Sequence, residues 1–216
     1  MKSATLSKTE FLKAHQADQE LEKILHGYVN DFLAGNVAAR KLDALLREAG
    51  TGLRPVMDHL TFRTHNIDHR AEEFVRYGFE HTETLEYGNW FAKIYRREGY
   101  PALFIDQAFP MPHGAGSVIP RWVEKFGDRH LHHVAVMVDD IEKAMIAMKE
   151  QGIAFTGQIV GHHGGPLRQI FTKPEVREGE PFTVLELAER HYGFMGFSPP
   201  QAQGLMDSTL SHSKAA

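Results

Sequence analysis

Two stretches of this chain repeat one another in register. Met57–Ile67 lies over Leu131–Ile141 at an offset of 74, which sets His59 over His133 and Ile67 over Ile141. The register continues without a gap through a helical stretch until Tyr77-Gly78-Phe79 falls over Gln151-Gly152-Ile153. Further on, Ala102–Asp106 lies over Val184–Ala188 at an offset of 82, so the second copy carries extra loop in between. Each copy reads as a strand, a helix, a Gly-X turn and then more strands, a β-α-β-β-β unit. A duplicated unit constrains the fold tightly, because both copies build the same structure and bury their apolar faces together.

The expected fold class is α+β, with two β-α-β-β-β modules forming a curved mixed sheet around a metal cavity and an N-terminal helical cap. Residues 1–53 form the helical segment, 54–112 the first module, 113–128 a linker, 129–197 the second module and 198–216 a C-terminal helix or tail. The linker begins in the Pro/Gly-rich stretch Phe109–Gly116. In the helical segment, Ser7-Lys8-Thr9-Glu10 has the capping-box pattern, and Leu21, Ile24, Leu25, Tyr28 and Phe32 follow at helical spacing. Gly35-Asn36 reads as a stop, and Leu42, Leu45 and Leu46 as a second helix ending near Gly50.

Strand side chains alternate between faces. In the first strand Leu60 and Phe62 form the apolar set, opposite His59, Thr61 and Arg63. In its counterpart Val134, Val136 and Val138 oppose His133, Ala135 and Met137. In the last strand Leu185 and Leu187 oppose Val184, Glu186 and Ala188. A sheet curved with its polar set inward brings His59, His133 and Glu186 together. The chain has 14 His and no Cys, so a transition metal here is held by imidazole and carboxylate. Two histidines and one carboxylate form the facial triad of non-heme Fe(II), with positions left open for substrate and oxygen. A single strand histidine is more often a satisfied core or solvated group, but two at equivalent repeat positions beside an acid in an apolar strand point to a metal. His132 falls on the apolar set and is the weaker candidate. His65, His69, His81, His130 and His191 share no register and read as surface; His162-His163-Gly164-Gly165 reads as a loop, with a lid as the other reading. The position equivalent to Glu186 in the first copy is Phe104, which cannot ligate, so the site has three protein ligands.

Several stretches resemble the vicinal-oxygen-chelate superfamily, and within it the 2-oxoadipate dioxygenase/decarboxylase family. They are Lys41–Leu46 with Val56–Thr64, Trp90–Lys93 with Pro101–Ile105, and the ending Glu186–Arg190 through Gly196-Phe197 to Met206–Thr209. Leu167–Pro174 followed by Leu185-Glu186 is similar to the C-terminal half of 4-hydroxyphenylpyruvate dioxygenase. The resemblance implies an Fe(II) dioxygenase acting on a small 2-oxo acid, with His59, His133 and Glu186 as ligands. Zn, Ni, Mn and Co are the other divalent ions such a donor set takes. It further implies Arg63 as a clamp for a substrate carboxylate and Gln169 as a partner of substrate or of the ligands, against a surface salt bridge and a structural amide as the plainer readings. The chain lacks the non-catalytic half of the second relative and is shorter than the larger 2-oxoadipate enzymes, whose extra segments help shape the pocket.

A net charge of −4 argues against a nucleic-acid partner. No apolar run approaches a membrane span, and the start lacks the apolar stretch of a signal peptide. The expected partner is a small-molecule carboxylate, in the cytoplasm, with a homodimer allowed. Two other functions fit the same residues: a glyoxalase-type metal-dependent isomerase or lyase, which wants a fourth acidic ligand, and a non-catalytic protein that binds a small ligand in the cavity.

Overall fold

The computed structural model describes residues 8–210; the expected capping box begins at Ser7, outside them. Two helices open the chain, α1 (Lys8–Gly35) and α2 (Val37–Glu48), with Asn36 between them accepting a hydrogen bond from Ala39 N as the N-cap of α2. The first repeat follows as β1 (Met57–Arg63), α3 (Ile67–Val75), β2 (Glu80–Glu86), β3 (Trp90–Arg96) and β4 (Ala102–Ala108). After α4 (Ile119–Phe126) the second repeat runs β5 (Leu131–Met137), α5 (Ile141–Glu150), β6 (Phe155–Val160) and β7 (Leu167–Thr172). A small hairpin of β8 (Val176–Arg177) and β9 (Glu180–Pro181) precedes β10 (Val184–Arg190), and α6 (Pro199–Leu210) closes the described chain.

Eight strands form one mixed, curved sheet in the order β2-β3-β4-β1-β5-β10-β7-β6. The two halves mirror each other about the central antiparallel pair β1–β5, and β1–β4 and β5–β10 are both parallel. The repeat survives at the level of individual pairs: Thr61 lies opposite Phe104 in one half, and Ala135 opposite Glu186 in the other. The extra residues of the second copy fall in the β6–β7 loop and around the β8–β9 hairpin. The segment joining the copies is not only loop, since it carries α4.

The apolar strand sets lie on the outer face. Leu60, Phe62, Val134, Val136, Leu185 and Leu187 are buried in one core together with Leu21, Leu25, Tyr28 and Phe32 of α1. At ~1.5–3 kcal/mol for each large side chain fully buried, this packing is what commits the opposite face of each strand to the cavity. A second cluster, containing Trp90, Phe104, Trp122, Phe182, Phe197 and Met206, lines the inner side. Among the described residues no helix is long and apolar enough to cross a membrane.

Candidate metal centre

His59 on β1, His133 on β5 and Glu186 on β10 meet on the inner face, all three buried. Their Nε2 atoms are 3.2 Å apart, and Glu186 Oε2 is 3.5 Å from that of His59 and 3.2 Å from that of His133. Donors ~2.1 Å from one ion lie ~3.0 Å apart at right angles and ~3.4 Å apart in a tetrahedron. Two of the edges, at 3.2 Å, fall within that range and the third, at 3.5 Å, lies just above it, so the donor set fits a single divalent ion. Among the described residues the cluster has these three members and no fourth His, Asp or Glu. Phe104 takes the symmetric fourth position, its ring 6.2 Å from that of His59.

Each ligand is itself held. Asp58 accepts from His59 Nδ1 at 2.7 Å, which turns Nε2 to the cavity. Arg190 grips Asp58 through two hydrogen bonds of 2.6 and 2.9 Å. Gln169 donates to Glu186 Oε1 at 2.6 Å, leaving Oε2 for the histidines. His132 and His133 meet through their Nδ1 atoms at 3.0 Å, so with Nε2 of His133 given to a metal its proton sits on Nδ1 and His132 can accept it. The Thr61 hydroxyl is 2.7 Å from His133 Nε2.

Two of these supports escape strict alternation because each is the extra residue of a bulge in the β1–β5 ladder. Pairing steps from Met57↔Val136 to His59↔Ala135, and from Thr61↔His133 to Phe62↔Leu131. Asp58 and His132 are thereby skipped, and a bulge re-aims the side chain it carries. His132 therefore faces the cavity and not the apolar side, contrary to the alternation. Of the other histidines, His65, His69, His81, His162 and His163 are exposed, His130 is half-buried, and His191 donates to Glu189 at 2.7 Å.

Without an ion, the three donors share protons unequally. Burial works against a charge on His59, but the carboxylates of Glu186 and Asp58 reverse this and raise its pKa to about 9. Burial pushes Glu186 up, but the charge of His59 and hydrogen bonds from both imidazoles bring it down to about 2. His133 falls to about 4, since burial outweighs its hydrogen bond to Glu186. At neutral pH His59 is thus cationic, Glu186 anionic and His133 neutral. A metal needs the lone pair on His59 Nε2, so binding expels one proton. Apparent metal affinity should therefore fall about tenfold per pH unit as pH drops from 9 toward 5, and level off above 9. Titrations of a divalent ion at several pH values, with proton release measured in buffers of different ionisation enthalpy, check this.

The cavity next to the triad has a volume of about 40 Å³ and is lined also by Arg63, Trp90, Phe104, Asp106, Phe197 and, from α6, Leu205 and Met206. Arg63 and His132 separate it from a neighbouring cavity of about 150 Å³ walled by Trp122, Phe126 and Phe182. Arg63 is not a surface residue: it is buried, 3.7 Å from Asp106. Burial lifts Asp106 to about 7 against the charge of Arg63.

No protein-family model matches the sequence, and no curated protein matches it. Among solved structures, a Shewanella frigidimarina protein provisionally assigned as a hydrolase superposes with a TM-score of 0.71 at 18% identity, over 82% of this chain and 97% of that one. A Ralstonia eutropha protein placed provisionally in the glyoxalase superfamily gives 0.61 at 13% identity, over 81% of this chain and 84% of that one. The chain has the glyoxalase fold. A variant of 4-hydroxymandelate synthase from Streptomyces coelicolor aligns with it at a TM-score of 0.57 and 18% identity, over 75% of this chain and 57% of that longer one. In the glyoxalase fold of this chain, Asp58, Arg190 and Asp106 stand beside the three donors and were not singled out by the sequence, whereas His132, ranked there as the weaker candidate, joins them on the cavity side. Asp58 is adjacent to a candidate ligand, a usable signal; Arg190 reaches it from 132 residues away, which no local pattern reveals.

Proposed function

We propose that this protein is an Fe(II)-dependent dioxygenase acting on a small 2-oxo acid. The observation that carries the reading is the three-donor set with Phe104 where the repeat would otherwise place a second carboxylate. His59, His133 and Glu186 would hold the ion, leaving positions for an acid and for oxygen. Bound there, Fe(II) supplies oxygen activation and a site for the carboxylate and keto oxygens of the 2-oxo acid. The remaining chemistry belongs to the chain. Asp58, His132 and Gln169 fix the orientation of the ligands, a service whose loss ordinarily costs 10–100-fold in affinity or activity (order of magnitude). Phe197, with its ring edge-on to His59 at 5.0 Å, joins Trp90, Phe104, Leu205 and Met206 in keeping bulk water from the reacting atoms. Arg63 supplies the cationic group within the cavity. The motifs shared with 2-oxoadipate and 4-hydroxyphenylpyruvate dioxygenases support the same substrate class, and a chain without cysteine accords with a reducing compartment, the cytoplasm.

A glyoxalase-type isomerase with Zn or Ni is the second reading, favoured by the fold and opposed by Phe104. Oxygen uptake separates the two. Protein loaded anaerobically with Fe(II) should consume O₂ and release CO₂ with at least one member of a panel of small 2-oxo acids, whereas Zn(II)-loaded protein should not. No uptake with any acid, from folded and iron-loaded protein, overturns the proposal.

A further inference from the structure

Beside the triad, the cavity holds a buried ion pair without a hydrogen bond. Arg63 and Asp106 are paired residues of β1 and β4, and both are nearly fully buried. Arg63 Nε and Asp106 Oδ2 are 3.7 Å apart, too long for a hydrogen bond. Arg63 Nε and Asp106 Oδ1 are sealed off and have no hydrogen-bond partner. Arg63 Nη2 meets the Met206 thioether, a weak acceptor, at 3.1 Å. Nη1 has no partner either, but it is not sealed, and Arg63 lines both the metal cavity and its larger neighbour. The guanidinium thus turns a sealed edge toward Asp106 and an open end toward the cavities.

A substrate carboxylate that reaches Nη1 brings a second anion to the one cation that neutralises Asp106. Two carboxylates sharing a buried site do not both stay ionised, and the one with fewer hydrogen bonds takes the proton. Asp106 is that one, since no hydrogen bond holds its charge. Burial already lifts it to about 7 against the charge of Arg63. The other groups around it do not exchange protons between pH 7 and pH 9. Tyr87, in the β2–β3 turn, is a phenol pushed up by burial and by the Asp106 charge, and β3 sets Ala92 opposite Asp106. His132 on β5 is held well below the usual imidazole range by burial and by Arg63. Arg121 and Lys125 of α4 are permanent cations that line the neighbouring cavity, and a bound metal occupies His59, His133 and Glu186. We propose that Asp106 determines specificity at the Arg63 end of the site: it admits a second carboxylate on Arg63 together with one proton from solvent, which the Asp106 carboxyl holds. This rests on the 2-oxo acid reading for the metal end, and it adds a coupled proton to the carboxylate that the family resemblance places on Arg63. Because Asp106 is mostly ionised above pH 7 when free and protonated in the complex, the second carboxylate loses affinity as pH rises.

The test is calorimetric titration of oxygen-free, metal-loaded protein with five- and six-carbon 2-oxo acids ending in methyl or carboxylate, in buffers of different ionisation enthalpy. The methyl-ended acid reports the metal end alone. At pH 8, the carboxylate-ended acid of at least one length should take up at least about 0.4 proton more than its methyl-ended counterpart. Its affinity relative to that counterpart should fall at least about fivefold from pH 7 to pH 9. Asp106→Asn should abolish the extra proton and, at pH 9, bind the carboxylate-ended acid at least about fivefold more tightly than wild type does. The wild-type proton count decides the matter even if the variant does not fold. Equal uptake with the two acids and a flat affinity ratio overturn the role of Asp106 alone, and so does extra uptake that survives in folded Asp106→Asn protein. Binding of methyl-ended acids without binding of carboxylate-ended ones removes the carboxylate from Arg63 and overturns it too. If no acid binds, methyl-ended ones included, the substrate class itself falls and the role of Asp106 with it.

Discussion

Glu186→Gln should cost the protein more than about 100-fold in affinity for a divalent ion while leaving its fold intact. Loss of a partner behind a metal ligand already costs 10–100-fold, and this change removes the ligand's charge outright. Glutamine matches glutamate in volume, and its amide can still meet Gln169, so the β10 core of Leu185 and Leu187 is undisturbed. The replacement also deprives His59 of the largest influence raising its pKa, so that imidazole moves back toward neutrality. Metal content after dialysis against a weak chelator, compared with wild type at the same pH, reads the effect. Circular dichroism confirms the fold. Retention of a full equivalent of metal would show that the ion is held elsewhere.

Arg190→Ala should be the most destabilising single change near the site. Arg190 makes two hydrogen bonds to Asp58, and a third, of 2.8 Å, to the carbonyl of Gly196 in the segment leading to Phe197 and α6. Asp58 is held well below the usual carboxylate range because, although burial raises it, His59 and Arg190 lower it further. Removing one partner of a buried ion pair leaves an uncompensated charge and costs ~3–5 kcal/mol. For a chain of this size, that is a fall in Tm of roughly 6–20 °C. Arg190→Lys should recover only part of the loss, since a single ammonium does not reproduce the two-pronged contact with the carboxylate. Scanning calorimetry of the three proteins at neutral pH checks the order. A Tm for Arg190→Ala within about 2 °C of wild type, under ~1 kcal/mol, would mean that the pair contributes little.

The triad was legible because it depends on the repeat. Strict alternation assigns one face to each residue, and the 74-residue register puts His59 and His133 on the same one. The offset of 82 then carries Glu186 and Phe104 to matching positions, and the observed pairs Thr61↔Phe104 and Ala135↔Glu186 preserve it. The supports were not legible for the opposite reason. Asp58 and His132 reach the site through bulges that break alternation. Whether a bulge forms is decided by the partner strand, not by the local sequence. Arg63 was expected as a clamp, but its engagement by Asp106 follows from the β1–β4 register, which neither strand specifies alone. The covering of the cavity by Leu205 and Met206 depends on where α6 packs, again a matter of tertiary contact.

The claim on which everything else depends is that His59, His133 and Glu186 hold one ion. It is tested most directly by a crystal structure of Fe(II)-loaded protein, with the ion located by anomalous scattering at the iron edge. The expected result is one peak per chain, ~2.0–2.2 Å from Nε2 of His59, Nε2 of His133 and Oε2 of Glu186. A peak bound to other residues, or iron-loaded crystals with no peak between these three, would contradict it.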